Sequence, residues 1–171
     1  EPGLGLIAWW SGDGHPFDLV GTNNGTMMND GTYAPGRVGR AFSFDGTNDH
    51  VQVLSPVNLP LGDAPRSIDV WFRTPRNLSI STESSIVQYG TENDGQMFGL
   101  ITSANAAGRL YFYGHNSDIA GTTTIQPNTW YHGAVTYDGS TLRMYVNGQL
   151  EGSAPMTLNT TLTGSGITIA P

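Results

Sequence analysis

Residues 130–148 constrain the fold of this chain more than any other segment. In the first half, the side chains alternate with the two-residue period of a strand, with Tyr131, Val135 and Tyr137 on one side and His132, Ala134 and Thr136 on the other. The pair Asp138-Gly139 then provides tight-turn residues, because glycine adopts positive φ without steric cost. A second alternating run follows and ends at Asn147-Gly148. The segment therefore predicts a β-hairpin.

Short strand-like runs continue along the whole chain. They cover residues 5–10, 41–44, 50–54, 67–73, 85–89, 98–102, 109–113, 122–125, 131–137, 142–146 and 166–169. Clusters of Gly, Asn and Asp separate them, and no helical periodicity extends beyond about two turns. Many short strands at even spacing predict an all-β, two-sheet antiparallel sandwich of the jelly-roll type.

Length and composition limit the number of domains and the classes of protein to which this chain can belong. The 171 residues fit one domain, residues 1–171, that is large enough to bury a core. The chain has no cysteine, which excludes a disulfide framework or a thiolate metal site. No apolar run approaches the roughly 18 residues of a membrane-spanning helix. From the sequence we expect no signal peptide within residues 1–171.

The charge of the chain argues against one class of partner. The formal net charge is −7, and every basic residue is an arginine. An acidic protein with scattered arginines lacks the basic surface that binds phosphate backbones, so nucleic acid is not an expected partner. Acidity suits a divalent cation or a neutral glycan, although it can also serve only to keep a weakly charged surface soluble.

Four motifs occur in the order of a known family. The hairpin at 130–148 resembles the pattern W-x-H-x-A-x-T-Y-D-G-…-L-x-x-Y-V-N-G, and it is accompanied by AWWSGDG at 8–14, GRVGRAFSFDGTNDHV at 36–51 and SIDVWF at 67–72. Together they resemble the bacterial laminin-G-like domains of the concanavalin A-like superfamily. The sequence departs from that pattern in one respect. Such domains usually continue into a closing strand after the counterpart of residues 167–169, and this strand is missing here.

The resemblance implies a function and a location. It implies a non-catalytic, lectin-like carbohydrate-binding module, extracellular or on the cell surface, that recognises a polysaccharide or glycoprotein, with calcium as a structural ion. A structural or cell-adhesion subunit that packs against copies of itself, through the sheet edge left open by the missing strand, is the alternative. A third hypothesis is that the chain is a glycan-active enzyme of the same fold.

Candidate ligand-binding residues come from strand parity. Polar and aromatic side chains share one side of their strands at Asp69, Trp71, Arg73, Tyr111, Tyr113, His132, Arg143, Tyr145 and Asn147. On a shared face they would form a trough in which aromatic rings contact the C–H faces of a sugar and charged groups bind its hydroxyl pairs. The alternative is that Trp71 and Tyr145 pack under a loop as a second small core.

Candidate calcium ligands lie in two loops. They are Asp18, Asn23 and Asn24 in the first loop and Asp45 and Asp49 in the second. Calcium prefers carboxylate, amide and carbonyl oxygens, which such loops offer. No Asp-x-Asp-x-Asp-Gly array is present, and the same residues commonly form Asx-turns.

Signals for catalysis are weak. Glycanases of this fold use paired carboxylates, but the glutamates, Glu1, Glu83, Glu92 and Glu151, lie in predicted loops or ends without a Glu-x-Asp-x-x-Glu pattern. The histidines are isolated in sequence, which argues against a zinc site. The sequence therefore predicts no catalytic residues and no enzyme activity.

Overall fold

The computed structural model describes residues 5–75, 84–103, 108–164 and 166–170, and this part of the chain contains strands and no helix. The strands are β1 (Thr26–Met28), β2 (Thr32–Pro35), β3 (Arg40–Ser43), β4 (His50–Val53), β5 (Arg66–Phe72), β6 (Ser84–Gly90), β7 (Met97–Ser103), β8 (Arg109–Tyr113), β9 (Ile119–Thr124), β10 (Tyr131–Tyr137), β11 (Thr141–Val146), β12 (Gln149–Pro155) and β13 (Ile167–Ile169).

Two antiparallel sheets form the sandwich. A seven-stranded sheet has the order β1-β4-β13-β6-β7-β8-β9, and a four-stranded sheet has the order β12-β11-β10-β5. Strands β2 and β3 form a separate two-stranded hairpin. This architecture confirms the predicted all-β jelly-roll sandwich.

The predicted hairpin at 130–148 forms the centre of the four-stranded sheet. Strands β10 and β11 pair from Gly133 opposite Val146 to Tyr137 opposite Leu142. At its end Asn147 and Gly148 both have positive φ, 50° and 78°, as the tight turn into β12 requires. The sequence pattern therefore predicts this part of the fold correctly.

The core lies between the inner faces of the two large sheets. Phe72, Val135, Leu142, Met144 and Val146 of the four-stranded sheet belong to one buried cluster with Val87, Phe98, Leu100, Leu110 and Phe112 of the seven-stranded sheet. Gly133 lets the sheets approach closely, since a Cβ at this position would lie 3.1 Å from a Leu110 methyl and 3.3 Å from the Phe72 ring. Burial of these apolar side chains is the main source of stability.

Arg66 is a charged member of this interior. Its guanidinium is buried, lies 4.6 Å from the Phe98 ring centroid, and donates to the carbonyls of Gly62 and Ala64 and to the Thr160 hydroxyl. Burial lowers the pKa of Arg66, an effect that Tyr89, Tyr137 and Asp63 partly oppose. Arg66 therefore joins the loop before β5 to the segment that follows β12.

One predicted strand is absent from the structure, and three observed strands were not predicted. Residues 5–10 are not a strand, because Trp9 bonds with the following loop: its N–H donates to Asp18 and its carbonyl accepts from Leu19. The sequence analysis also missed β1 and β2, which are three and four residues long. It missed β12 as well, an edge strand that contains Gly152 and whose residues are all exposed or half-buried, so that it lacks apolar alternation.

The position of β13 bears on the expected open edge. Ile167–Ile169 lies between β4 and β6 and pairs with both, so the described chain has no unpaired edge at this strand. In the other sheet, β5 is an edge strand that pairs with β10 among the described residues. The absence of the family's closing strand remains a prediction.

Across the described ranges, the structure contains no helix with the length and apolar character needed to span a membrane.

Candidate binding site on the four-stranded sheet

The outer face of the four-stranded sheet carries most of the predicted ligand-binding residues. Because Phe72 points into the core, the neighbouring Trp71 points outward, and 46% of its surface is exposed. His132 lies directly opposite Trp71 on β10, and Tyr145 lies opposite Ala134 and hence near Asp69. Strand parity therefore brings these side chains to one surface, as predicted.

Trp71 is held between two polar neighbours. Its ring centroid lies 5.3 Å from that of His132, with the planes tilted by 54°. The guanidinium carbon of Arg37 lies 5.2 Å from the Trp71 centroid, a distance at which a cation is attracted to an aromatic face. These contacts fix the indole while part of it stays open to solvent.

His132 is fixed by hydrogen bonds. Its Nε2 lies 3.3 Å from a carboxylate oxygen of Asp69, and its backbone N–H donates to the Asn147 side chain at 2.9 Å. Asn147 is set by the tight turn after β11. The imidazole therefore has a defined orientation beside Trp71.

These residues surround an open depression of about 420 Å³. Its lining residues are Arg37, Trp71, Trp130, His132 and Asn147. A second arginine lies beside it, since the guanidinium carbon of Arg73 is 5.1 Å from the Trp130 ring centroid. The depression therefore combines two indoles with arginine, histidine and amide groups.

A fixed turn positions Arg37. It lies between β2 and β3 in a turn closed by the Gly36 N–H donating to the Gly39 carbonyl at 3.0 Å. The carboxylate of Asp13 accepts from the backbone N–H of Arg40 at 2.7 Å, which ties the turn to the N-terminal loop. Arg37 thus reaches the sheet from a well-anchored backbone.

Arg143 and Tyr145 share the outer face but do not line the depression. The Arg143 guanidinium donates to Asp138 at 2.7 Å. This hydrogen bond, with others from Thr141 and Ser140, holds the pKa of the Asp138 carboxyl well below its usual range. Arg143 is therefore engaged by an acidic partner within the hairpin.

Tyr111 and Tyr113 are not part of this surface. Both lie on β8 in the seven-stranded sheet, where the alternate residues Leu110 and Phe112 are buried in the core. The two tyrosines consequently face away from the four-stranded sheet, and Tyr113 donates to Glu92 at 2.7 Å. The prediction that Tyr111 and Tyr113 share one trough with Trp71 is therefore wrong. Strand parity gives the side of a strand on which a residue lies, but it does not specify which sheet the strand joins.

Two lining residues, Trp130 and Arg37, were missed by the sequence analysis. Trp130 has the same parity as His132 and could have been found by extending the alternation one step before β10. Arg37 carries no such signal, because its contact with Trp71 depends on how the β2–β3 hairpin packs.

The residues predicted to bind calcium in the first loop form a hydrogen-bond network. The Asp18 carboxylate accepts from the backbone N–H groups of Trp9, Val20 and Asn23, and the Asn24 side chain accepts from the Asp18 N–H. Burial alone would raise the pKa of Asp18, but these backbone hydrogen bonds outweigh it and lower the pKa. Asn23 exchanges two hydrogen bonds with the backbone of Val57.

The second loop is organised in the same way. Asp49 is buried, and its two carboxylate oxygens accept from the N–H groups of Asp30 and Asp45. In the part of the chain that the structure describes, no three acidic, histidine or cysteine side chains converge as metal ligands would. Backbone hydrogen bonds account for these carboxylates without an ion, and calcium binding stays a prediction.

Solved structures share this fold. Domain 4 of the GH43 extracellular arabinanase AbnA from Geobacillus stearothermophilus, in complex with arabinotriose, superposes with a TM-score of 0.68 at 20% identity, covering 96% of this chain and 82% of that one. The binding domain of botulinum neurotoxin DC, in complex with rat synaptotagmin II, gives a TM-score of 0.63 at 18% identity, covering 90% of this chain and 40% of that one. At these identities the similarity concerns the fold.

Sequence comparison gives a relative and a family. Pappalysin-1 from Mus musculus is 28% identical over 131 residues, an alignment that spans 69% of this chain and 8% of that protein's length. The laminin G model of the concanavalin A-like lectin/glucanases superfamily matches residues 45–170, a range that contains the motifs at 67–72 and 130–148. The chain therefore belongs to the concanavalin A-like lectin/glucanases superfamily.

Proposed function

We propose that this domain is a non-catalytic module that binds a glycan, free or carried on a glycoprotein, at the outer face of its four-stranded sheet. The observation that carries the proposal is the half-exposed Trp71 in a depression that also contains Trp130, His132 and Asn147. Binding sites for small ligands combine such aromatic surfaces with a few fixed polar groups.

Each lining group has a role in sugar recognition. The exposed parts of the indoles offer apolar surface to the C–H faces of a pyranose or furanose ring. The imidazole of His132 and the amide of Asn147 offer hydrogen-bond donors and acceptors for hydroxyl groups. Because hydrogen bonds already orient both groups, little conformational freedom is lost when a ligand binds.

The comparisons agree with this proposal at the level of fold and family. One neighbour is a domain of an extracellular arabinanase in complex with arabinotriose, and another is a toxin binding domain in complex with rat synaptotagmin II. By analogy, we propose an extracellular or cell-surface location and a glycan or glycoprotein partner for this chain.

The lining of the depression favours binding over catalysis. Glycoside hydrolysis by the common route needs two carboxyl groups that flank the bond to be cleaved. Among the described residues that line the depression there is no carboxylate, and the nearby Asp69 contacts His132. We therefore assign the surface to recognition.

A glycan array tests the proposal. The protein is applied with and without a chelator, alongside the Trp71→Ala variant. Binding to a defined set of glycans that is lost in the variant supports the proposal. An absence of binding to all glycans, or binding unchanged by Trp71→Ala, contradicts it.

Self-assembly is a second candidate, and the position of β5 favours it. Arg66–Phe72 is a seven-residue edge strand with one neighbour among the described residues. Edge strands offer unpaired N–H and C=O groups that can pair with another chain. Light scattering during size-exclusion chromatography tests this, since a concentration-dependent dimer or larger species is expected. A monomer at every concentration would contradict it.

A further inference from the structure

We infer that the ligand of this surface is an acidic sugar, whose carboxylate is bound by Arg37. The inference rests on the proposed function and narrows it from glycans in general to glycans that carry a uronic or sialic acid. Three observations on the Arg37 guanidinium support it: its contact with the Trp71 ring, its lack of hydrogen bonds to described residues, and the charged groups around it.

The packing of Arg37 leaves its donors available. A guanidinium that lies over an aromatic ring uses its face for that contact, whereas its N–H groups point outward in its own plane. The guanidinium carbon of Arg37 lies 5.2 Å from the Trp71 centroid at the lining of an open depression, and no hydrogen bond to a described residue occupies its N–H groups. A planar fork of N–H donors matches the two oxygens of a carboxylate.

Three other arginines within the described ranges already have hydrogen-bond partners. Arg66 donates to two carbonyls and a hydroxyl, Arg143 pairs with Asp138, and Arg40 donates to the Tyr33 carbonyl. Arg37 has no ion pair or hydrogen bond to any residue within the described ranges, and its contact is the Trp71 ring. The Trp71 ring therefore positions the Arg37 guanidinium, and no described carboxylate neutralises its charge.

The surroundings of the depression also favour an anion. Arg73, which lies over Trp130, adds a second positive charge that has no ion pair with a described carboxylate. Two carboxylates lie nearby: Asp69 is against His132, and Asp13 accepts from the backbone N–H of Arg40, and neither forms an ion pair with Arg37 or Arg73. In a protein of net charge −7, this depression therefore presents two arginines that are free of ion pairs with described carboxylates, and these can attract the carboxylate of an acidic ligand.

The turn that carries Arg37 is anchored by hydrogen bonds. The backbone of the turn is fixed by the Gly36–Gly39 hydrogen bond and by Asp13, so Arg37 meets a ligand from a defined direction. Preorganisation of this kind reduces the entropy lost on binding and makes recognition geometrically specific.

The experiment compares acidic sugars with neutral counterparts of the same size. Trigalacturonate and sialyllactose are each paired with their own methyl esters, and each sugar is titrated calorimetrically into the protein. We expect at least one acidic member to bind about tenfold or more tightly than its counterpart, since charge-assisted bidentate hydrogen bonds are strong. The preference should disappear in Arg37→Gln and weaken as salt is added.

Arg109→Gln is the matched control for Arg37→Gln. Arg109→Gln removes an equal charge from β8 on the other sheet and should keep the preference. Equal affinity for acidic and neutral members, or a preference that survives Arg37→Gln, overturns the inference. Binding to none of the four sugars, together with neutral glycans bound on the array, overturns it as well but leaves the proposed function intact. An absence of binding to any glycan removes the proposed function itself.

Discussion

Trp71 of β5 and His132 of β10 lie opposite each other across two paired strands, with ring centroids 5.3 Å apart. Arg37 lies over the same indole from the β2–β3 turn, so parts of the chain that are distant in sequence fix one exposed ring. A bare aromatic platform would be free to move, whereas this ring is held by its neighbours. The surface therefore has the rigidity that specific recognition of a small ligand requires.

Arg66→Lys should destabilise the fold. The arginine fork donates to Gly62, Ala64 and Thr160, and a lysine cannot reproduce this geometry, so buried acceptors would be left unsatisfied. We expect a loss of about 1–3 kcal/mol in the free energy of unfolding. Urea denaturation at neutral pH measures it.

Arg143→Lys is the matched control for this substitution. Arg143 forms a surface pair with Asp138, and solvent-exposed pairs of this kind contribute little to stability. If the two variants unfold at the same urea concentration, the structural role given to Arg66 is wrong.

The stabilisation contributed by Asp18 should depend on pH. Its pKa is lowered in the folded protein, so its contribution is present above the unfolded-state pKa of about 4 and is lost as pH falls through the folded-state pKa. We expect Asp18→Asn to cost about 1–3 kcal/mol at pH 7. This difference from the wild type should shrink as the pH is lowered below about 4.

Asp30→Asn is the control for this pH experiment. Asp30 is exposed, and its carboxylate makes no hydrogen bond within the described ranges. Denaturation curves of the three proteins across the pH range give the comparison. An Asp18→Asn penalty that stays constant down to the lowest pH would contradict the assigned role of the carboxylate.

Calcium binding is tested by thermal unfolding. A calcium ion bound near Asp18 or Asp49 would raise the melting temperature, since a ligand that prefers the native state stabilises it by mass action. The prediction is a higher melting temperature with calcium than with excess chelator. Identical curves would show that the hydrogen bonds from backbone N–H groups are sufficient to order both loops.

Local patterns predict much of the fold. The alternation around Val135, the turn residues Asn147-Gly148 and the apolar run that ends at Phe72 each depend on neighbours in sequence, and each forms the expected element. Residues 5–10 were misassigned because the backbone of Trp9 bonds with a loop, through Asp18 and Leu19, which alternation does not report.

The candidate site was only partly predictable. Parity correctly placed Trp71, His132 and Asp69 on one surface, because those strands are neighbours in the four-stranded sheet. It could not separate Tyr111, whose strand joins the other sheet, or reveal Arg37, which reaches Trp71 through tertiary packing. Membership of a sheet and contacts between loops depend on residues that are distant in sequence.

Trp71→Ala tests the central claim, that the outer face of the four-stranded sheet binds a glycan. Because Trp71 is 46% exposed and outside the core, the variant should fold normally. Its affinity for the glycan that the wild type binds best should fall by about 1–3 kcal/mol. Trp9→Ala is the matched control, because Trp9 is 53% exposed and does not line the depression.

The most direct measurement is calorimetric titration of that glycan into the wild type, Trp71→Ala and Trp9→Ala. The melting temperature of each protein is recorded first, so that a change in affinity can be separated from a loss of folding. We predict weakened binding in Trp71→Ala alone, with melting temperatures close to that of the wild type. Undiminished binding by a folded Trp71→Ala protein would contradict the assignment of this surface.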